Sequence, residues 1–509
     1  MDSSHDPAQL RGLALATLFP GFEGTAEPPR WLAGLIAEGL GGVVLFGRNV
    51  DPTLGDEGVA ALTARLRAAG PDLLVAIDEE GGDVTRLDAT TGSELPGSAA
   101  LGVVDDVVLT RDVAASLGAR LRACGIDVNF APVADIDVDP LNPVVGVRAF
   151  GSDPGLVARH VAAFVHGQQS SGVAATAKHF PGHGATDEDS HVTVPTISAD
   201  SSLLDNRELV PFRAAVSAGV KIVMTAHIKV GAIDPDTPAT LSSAVITGLL
   251  RHRLGFDGLV MTDGMDMHAI SRTVGHAEGG VRALLAGVDA LCVGGESTDQ
   301  GTIEGIVAAV VNAVESGRLP YERLTEAAGR VRSLARWARS STLYDASADG
   351  EPAGVRAARR AVVAVGDVSL GSAPVVLELQ DEPSLAAGKI PWGVGGALAE
   401  RLPGTVVVPL FESGPTPASV LAGHDGRPVV VAVRGARRQA WQAVMVAAVR
   451  EIRPDIVVVD HDLPADPTVL GSRYVLAFGA SRVTAEAAAD LLAARAPAAS
   501  PNDHVKWVS

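Results

Sequence analysis

The chain has 509 residues, more than a single domain usually holds, and 47% of them are hydrophobic. This length predicts two domains, one of them large, and the composition is typical of a globular α/β protein, which excludes a disordered or fibrous chain. With 41 Lys and Arg against 60 Asp and Glu, the net charge of -19 argues against nucleic acid or an anionic membrane surface as the main partner.

The N-terminal sequence and the two cysteines bear on the cellular compartment. The opening residues, MDSSHDPAQLRGLALATLF, are acidic where a signal peptide needs positive charge, and their apolar run is too short to span a bilayer. Cys124 and Cys292 fall in a predicted helix end and a predicted buried strand, which favours two reduced core residues over a disulfide. The sequence therefore predicts a cytoplasmic protein.

Eight short apolar segments, each followed by a helical or loop stretch, occupy the first part of the chain. They lie at residues 13–19, 41–47, 73–79, 128–134, 175–181, 220–227, 258–264 and 288–294. Such alternation is typical of a parallel sheet closed by crossovers. We therefore predict a TIM-type (β/α)8 barrel over residues 1–340, in which functional groups collect at the C-terminal ends of the strands.

Ionisable and polar side chains end these predicted strands. They are Arg48, Asn49, Asp78, Glu79, Glu80, Asp135, Asp137, Lys178, His179, His227 and Asp263. Because the strand interiors are almost wholly apolar, this ring predicts the rim of a pocket at the barrel mouth.

A second domain follows a predicted linker at residues 341–356. Between residues 357 and 509, apolar runs at 361–366, 374–380, 404–410, 428–433, 455–460 and 474–479 alternate with helical stretches, which predicts a smaller, open parallel α/β sandwich. We find neither a Gly-rich phosphate loop nor a run of charged residues ending successive strands in it. A structural or oligomeric role is favoured over cofactor binding, and the oligomeric state is left open.

The segment Lys178–His191, KHFPGHGATDEDSH, is the most informative stretch of the chain. Its proline and glycines predict a loop over the barrel mouth. If the loop is extended near its end, Asp189 and His191 point the same way, and the carboxylate can orient the imidazole as a general acid/base. Surface polarity or one structural hydrogen bond is the simpler interpretation of any single histidine here.

A metal site is a further interpretation of the same loop. Five of its side chains could be ligands: His179, His183, Asp187, Asp189 and His191. The chain lacks the helical H-E-x-x-H pattern and an H-x-H at a strand end, so no metal is predicted.

The apolar segment GLVMTDGMDM places Asp263 at the end of a predicted strand. A carboxylate there could be a nucleophile toward an anomeric carbon. Asp266 is the alternative, but it falls in the following turn, where a helix cap is the simpler role.

Two further motifs suggest sugar binding. In DEEGGDVTR, Asp78 at a strand end is followed by a Gly-Gly turn that would bring Arg86 back toward it, an arrangement suited to vicinal hydroxyls, although a structural salt bridge would give the same pattern. Arg148, in NPVVGVRAFGSDP, is equally ambiguous alone.

Together these motifs resemble bacterial exo-β-N-acetylglucosaminidases of glycoside hydrolase family 3. KHFPGHG…DSH resembles the signature of that branch, and LFGRN, DEEGGDVTR, NFAPVADID, GVRAFGSDP, VMTAHI, IDPDTPATLS and LGFDGLVMTDGM follow in the family's order. The resemblance covers residues 1–340.

The resemblance implies a retaining hydrolase that needs no cofactor. Asp263 would attack the anomeric carbon, and His191 paired with Asp189 would be the acid/base. Asp78, Arg86, Lys178 and His179 would hold the sugar hydroxyls, with Arg148 near the acetamido group. The substrates implied are saccharides ending in β-linked N-acetylglucosamine, from cell-wall fragments or chitin, often in peptidoglycan recycling.

One departure and two alternatives qualify this interpretation. Asp83 stands where the branch usually carries Arg, which leaves the aglycone preference and the sugar preference open. Some relatives with a histidine acid/base act as phosphorylases, because phosphate is repelled by a carboxylate but not by imidazole. A non-catalytic sugar-binding protein is the alternative of another class, disfavoured because Asp263, Asp189 and His191 are all present.

Overall fold

The computed structural model describes residues 6–186, 193–295, 298–341, 351–381 and 388–494. The chain forms two compact units. The first comprises Met1–Glu80, Thr110–Pro143 and Ser152–Ala348, and the second comprises Gly81–Leu109, Val144–Gly151 and Asp349–Ser509.

Eight parallel strands form the centre of the first unit. They are β1 (Leu18–Pro20), β2 (Gly42–Leu45), β3 (Leu74–Ile77), β4 (Val128–Asn129), β5 (Ala174–Phe180), β6 (Ile222–Thr225), β7 (Leu259–Thr262) and β8 (Leu291–Val293). Strands β2 to β7 pair in order, and β8 pairs with β1. Parallel bridges Gly21–Val44 and Met261–Ala290 join β1 to β2 and β7 to β8. The ring is closed, which confirms the predicted barrel.

The first predicted strand, 13–19, is partly wrong. A helix, Pro7–Leu15, occupies most of it, and β1 begins only at Leu18. The Asp6 side chain caps this helix by accepting from the Ala8 N–H, and Pro7 stands at its first position, where no N–H is needed. Both the helix and the strand bury apolar residues here. The apolar run in the sequence therefore could not show where the helix ends and the strand begins.

Helices surround the barrel. In the first unit they span Pro7–Leu15, Arg30–Ala37, Gly55–Ala69, Val107–Ala123 (which begins in the second unit), Pro154–Ser170, Ser201–Leu203, Leu209–Ser217, His268–Ser271, His276–Ala286, Gln300–Glu315 and Tyr321–Ser340, with π-helices at Leu204–Glu208 and Ala244–Arg253. A small sheet of Thr196–Ile197, Lys229–Val230 and Asp234–Pro238 lies outside the ring. Among the described residues, no helix is long and apolar enough to cross a membrane.

Two buried aspartates anchor the beginnings of barrel strands. Asp127, just before β4, contacts Arg67, Arg122 and Arg339, and Asp289, just before β8, contacts Arg251, Arg323 and Arg330. Both carboxylates are fully buried. Since several of these arginines lie on Tyr321–Ser340, the ion pairs attach that helix to the barrel.

The second unit contains a six-stranded sheet. Its strands are β9 (Val363–Val365), β10 (Val375–Leu379), β11 (Val406–Leu410), β12 (Val429–Val433), β13 (Val457–Asp460) and β14 (Tyr474–Leu476), in the order β9-β14-β13-β12-β10-β11. All pairs are parallel except β9–β14. The open α/β domain is confirmed, with one antiparallel edge strand that the sequence did not indicate.

Helices cover both faces of this sheet. They span Ser98–Val104, Ala353–Ala361, Gly395–Arg401, Pro417–Leu421, Ala440–Ile452, Pro467–Leu470 and Arg482–Ala493. Residues alternate along β10, so that Leu377 joins one apolar cluster and Val376 the other. Cys124 and Cys292 are free and buried, as predicted.

Polar residues do end successive strands of the second sheet, and the contrary prediction is wrong. Asp381 follows β10, Arg434 follows β12, and Asp460 ends β13. Trp441 Nε1 and Gln442 Nε2 donate to Asp381. Burial, with repulsion from Asp462, raises the pKa of Asp460 to about 7. In the sequence these residues adjoin loops rich in Gly, Pro and Arg, so they resemble ordinary loop polarity.

Two segments from the first half of the sequence belong to the second unit. The Asp83 carboxylate accepts from Arg434 Nη2 and from the Ala480 N–H, both at 2.7 Å. The Arg482 N–H donates to the Ser93 carbonyl. Ala99 and Ala100 pack into the same apolar cluster as Leu377. The second unit therefore includes residues 81–109 and 144–151 besides the predicted C-terminal segment.

Candidate active site

A buried lysine joins two strands at the barrel mouth of the first unit. Lys178 lies on β5, with only 2% of its surface exposed, and its Nζ contacts Asp78 Oδ1 at 2.5 Å and Glu80 Oε1 at 2.6 Å. Both carboxylates follow the C-terminal end of β3. The ammonium orients these carboxylates, while Asp78 keeps 24% of its side chain exposed and can accept a hydrogen bond from a ligand.

Asp135 organises the two histidines of the KHFPGH turn. Its Oδ2 lies 2.7 Å from His179 Nδ1, and its Oδ1 accepts from the N–H groups of His179 and His183 at 3.2 and 2.7 Å. One buried carboxylate therefore sets both the ring orientation of His179 and the path of the turn. With Nδ1 facing the carboxylate, Nε2 is the nitrogen left for a ligand.

Burial and charge act in opposite directions in this cluster. Burial tends to raise the pKa of Asp135, but the charge of His179 and the hydrogen bond from it, with help from His183, hold that pKa below its ordinary value. Burial lowers the pKa of His183, although Asp135 opposes the shift. The pair is therefore an ionised aspartate beside a neutral His183.

Asp263 directly follows β7. Its N–H donates to the Thr225 carbonyl, and its Oδ1 accepts from the Gly264 N–H at 2.8 Å. His227, fully buried after β6, contacts the Gly264 carbonyl through Nε2 at 2.9 Å and Thr240 through Nδ1. The backbone that carries Asp263 is thus fixed by a neighbouring strand end.

The charges of three acidic side chains at the mouth act on the titration of Cys292. Burial raises the pKa of this thiol well above its ordinary value, and the charges of Asp266, Asp263 and Asp78 raise it further. Asp263 also acts on the titration of His183. Asp78, Asp263 and the His183 turn each follow the C-terminal end of a parallel strand and so share one end of the barrel.

Asp266 has different surroundings from Asp263. Its carboxylate packs against the backbone of Gly295, where a side chain at residue 295 would collide with it. It also attracts Arg48, whose pKa is lowered by burial. Asp266 is not the cap of the helix His268–Ser271, which begins after Met267.

The remaining predicted site residues are assigned to the second unit or lie outside the described residues. Arg86 and Arg148 belong to the second unit, where both are half-buried. Arg148 ends a short 3-10 helix, Gly146–Arg148, and its Nη1 donates to the Val144 carbonyl at 3.0 Å. Asp189 and His191 lie outside the described residues.

Three residues of the mouth were recognised in the sequence only as strand ends and given no role. Glu80 is the second partner of Lys178, Asp135 holds His179, and His227 supports Gly264. The strand-end rule located them, but no pattern showed which side chain contacts which. Among the described residues, no group of three or more His, Cys, Asp or Glu could hold a metal ion.

A closed (β/α)8 barrel with carboxylates, a lysine and histidines at its C-terminal end is an arrangement found in enzymes of this fold, glycosidases among them. The model of the glycosyl hydrolase family 3 N-terminal domain matches residues 27–334, and the chain belongs to this family.

Curated relatives and solved structures agree with this membership. The chain is 33% identical over 336 residues to beta-hexosaminidase A of Pseudoalteromonas piscicida, covering 61% of this chain and 55% of that protein. It is 35% identical to a beta-hexosaminidase of Nitrosomonas eutropha, covering 56% and 82%. A family 3 beta-N-acetylglucosaminidase from Paenibacillus sp. str. FPU-7 matches with a TM-score of 0.84 and 34% identity, covering 95% of this chain and 96% of that one. The chain spans about half the length of the first of these relatives.

Proposed function

We propose that this chain is a retaining β-N-acetylglucosaminidase that releases terminal N-acetylglucosamine from the non-reducing end of cell-wall or chitin-derived saccharides. The observation that carries the proposal is the position of Asp263, fixed at the end of β7 on the same barrel end as Asp78 and the His183 turn. The likeness to the Paenibacillus β-N-acetylglucosaminidase over nearly the whole chain supports the choice of sugar.

In the first step, protonated His191 gives its proton to the glycosidic oxygen while Asp263 bonds to the anomeric carbon. The bond to the leaving group breaks, and a covalent glycosyl-Asp263 intermediate forms. Asp189 would stabilise the imidazolium and fix the tautomer of the ring.

In the second step, neutral His191 takes a proton from a water molecule, whose oxygen attacks the anomeric carbon. The bond to Asp263 breaks, the aspartate leaves as a carboxylate, and His191 is protonated for the next cycle. Two inversions at one carbon give net retention.

The sugar is held by side chains that do not change covalently. Asp78, oriented by Lys178, would accept from hydroxyls, and His179 would face the sugar through Nε2 because Asp135 occupies Nδ1. Arg86 and Arg148 are included in the proposed binding set through the family resemblance.

The test is hydrolysis of p-nitrophenyl N-acetyl-β-D-glucosaminide by wild type, Asp263→Ala and His191→Ala, with the matching glucoside as a second substrate. We expect both variants to lose at least about a thousandfold in kcat, because each removes a group that bonds to a reacting atom. Asp266→Asn is the matched control for a carboxylate on the same turn and should retain far more activity. Collapse of Asp266→Asn with survival of Asp263→Ala would contradict the assignment of the nucleophile.

The same assay decides between hydrolase and phosphorylase when inorganic phosphate is varied. A hydrolase releases free β-N-acetylglucosamine at a rate that does not depend on phosphate, and proton NMR of the first product shows the retained anomer. If sugar 1-phosphate is the main product, phosphate and not water attacks the intermediate in the second step, and the enzyme is a phosphorylase. If wild type hydrolyses neither aryl glycoside, the proposal that the chain is an enzyme is contradicted and a sugar-binding protein is favoured.

A further inference from the structure

A cavity of about 430 Å³ lies within the second unit, where β10 and β14 end. Its lining includes Glu378, Trp392, Glu400, Arg482 and Glu486. The volume falls in the range of small-molecule sites. In the five parallel strands of this sheet the order is that of doubly wound folds, whose ligands bind beyond the carboxyl ends of the strands. The cavity is therefore placed and sized for a ligand of monosaccharide dimensions.

Glu378 is the buried acid of this cavity. Only 8% of its surface is exposed, and its Oε1 accepts from the Gly395 N–H at 3.0 Å. Of the ion pairs among the described residues, none involves Glu378, and burial raises the pKa of its carboxyl. Gln380 Nε2 lies 3.5 Å from Glu378 Oε2 and adds one neutral contact. A buried carboxylate without a cation is unfavourable, so a cation bound in the cavity would stabilise the charged form of Glu378.

The surrounding loop makes room for that carboxylate. Gly393 has a φ of +107°, and a Cβ there would collide with the Glu378 carboxylate. A Cβ at Gly395 would lie 2.8 Å from Glu378 Oε1. A neutral side chain such as glutamine could accept from the Gly395 N–H equally well. This hydrogen bond alone therefore does not explain why residue 378 is a glutamate. The two glycines instead shape the chain closely around a carboxylate that faces the cavity.

The remaining charges of the wall are mainly acidic. Arg482, the cation among these lining residues, already contacts Glu94 at 2.6 Å and Glu486 at 3.3 Å. Glu400 stands at the solvent side, with 78% of its side chain exposed, and its Oε2 lies 3.9 Å from Arg401 Nη1. Trp392 adds an aromatic wall, and aromatic faces with carboxylates are the usual surroundings of a bound organic ammonium group.

We propose that this cavity binds a small polyhydroxylated ammonium ion of the size of an amino sugar, with the ammonium group paired to Glu378 and the ring against Trp392. Every residue that lines the cavity belongs to the second unit, whereas Asp78, Lys178 and Asp263 belong to the first. Binding in the cavity does not depend on the proposed hydrolysis.

The experiment is isothermal titration calorimetry of the full chain with D-glucosamine at about pH 7, where the amine is largely protonated. We expect Glu378→Gln to weaken binding at least about tenfold, because a charge-assisted hydrogen bond is lost while Gln still accepts from Gly395. Affinity for glucosamine should also fall as the pH is lowered and Glu378 takes up a proton. Equal thermal unfolding temperatures of wild type and Glu378→Gln exclude a folding defect as the cause.

Two controls separate this cavity from the barrel mouth. Asp263→Asn should bind glucosamine as wild type does, and Glu378→Gln should keep wild-type hydrolysis and wild-type affinity for neutral N-acetylglucosamine. Glu400→Gln, at the exposed side, should change glucosamine affinity less than about threefold. Failure of wild type to bind glucosamine, unchanged binding by Glu378→Gln, or loss of binding in Asp263→Asn would each overturn the proposal.

Discussion

Asp135 shows how one buried residue can determine a binding surface that it does not itself form. It has no exposed surface, yet it orients the His179 ring and holds the His183 N–H. Its low pKa means that it stays ionised through the neutral range. The carboxylate therefore favours a single tautomer of His179, with the proton on Nδ1.

We predict that Asp135→Asn lowers kcat/KM by roughly ten- to a hundredfold, because the charge-assisted hydrogen bond to His179 is lost. The change is isosteric, so the unfolding temperature should change less than the activity does. Steady-state kinetics with the aryl acetylglucosaminide measure the effect. Asp139→Asn is the matched control, since the Asp139 side chain accepts from the Leu141 N–H in the same loop, a contact that an asparagine oxygen can keep. Wild-type kinetics of Asp135→Asn would show that His179 needs no such support.

The residues of the mouth could be predicted better than their partners. Position at a strand end located Asp78, Lys178, His179 and Asp263 correctly, since a parallel barrel gathers those ends. The link from Lys178 to Glu80 and the link from His179 to Asp135 depend on strand register and loop path, which periodicity does not contain. Asp189 and His191 stay predictions.

Among the elements, the helix Tyr321–Ser340 has an unusual attachment. Its Val331, Leu334 and Ala338 pack against the barrel interior. Its Arg323 and Arg330 contact the buried Asp289. Arg251, from the π-helix Ala244–Arg253, contacts the same carboxylate. Three cations on one buried anion form a network in which every member depends on the central charge.

We expect Asp289→Asn to lower the free energy of unfolding by about 3–5 kcal/mol, because three guanidinium groups lose their shared anion. Urea denaturation followed by circular dichroism measures it. Glu326→Gln, which removes a half-exposed partner of the same arginines, should change the free energy by less than about 1 kcal/mol. Equal effects of the two substitutions would contradict the network.

Element prediction succeeded where one periodicity dominated. Seven barrel strands were found because each is a short apolar run, ended in six of them by polar residues and in β8 by Gly294 and Gly295. The first strand was placed too early, since the helix Pro7–Leu15 and β1 share a continuous apolar sequence. The antiparallel direction of β9 was also not foreseen, because strand direction is decided by pairing with β14 and not by composition.

At the scale of the whole molecule, the departure at Asp83 has a structural explanation. Asp83 is 6% exposed and contacts Arg434 and the Ala480 N–H within the second unit. An arginine there would face another arginine. The acidic residue thus fits a chain in which residues 81–109 are built into the C-terminal unit, a relation that no local pattern in the sequence could show.

We predict that Asp83→Arg lowers the free energy of unfolding of the second unit by about 3–5 kcal/mol, through repulsion with Arg434 and an unsatisfied Ala480 N–H. Tryptophan fluorescence during urea denaturation contains the signals of Trp392 and Trp441 in this unit together with those of Trp31 and Trp337 in the first, so the variant is compared with wild type for the part of the transition that shifts. The double variant Asp83→Arg/Arg434→Asp should recover more than about 1 kcal/mol of the loss. No recovery would mean that the ion pair contributes little.

The interleaved segments of the second unit also affect how the chain folds as it is made. Residues 81–109 leave the ribosome long before β10 to β14, which supply their packing partners. At roughly 5–20 residues per second, that interval lasts on the order of tens of seconds. Throughout it, Ala99 and Ala100 lack the apolar cluster that later buries them. Slowing translation beyond residue 349 would therefore prolong the period in which the newborn chain is open to aggregation and to chaperones.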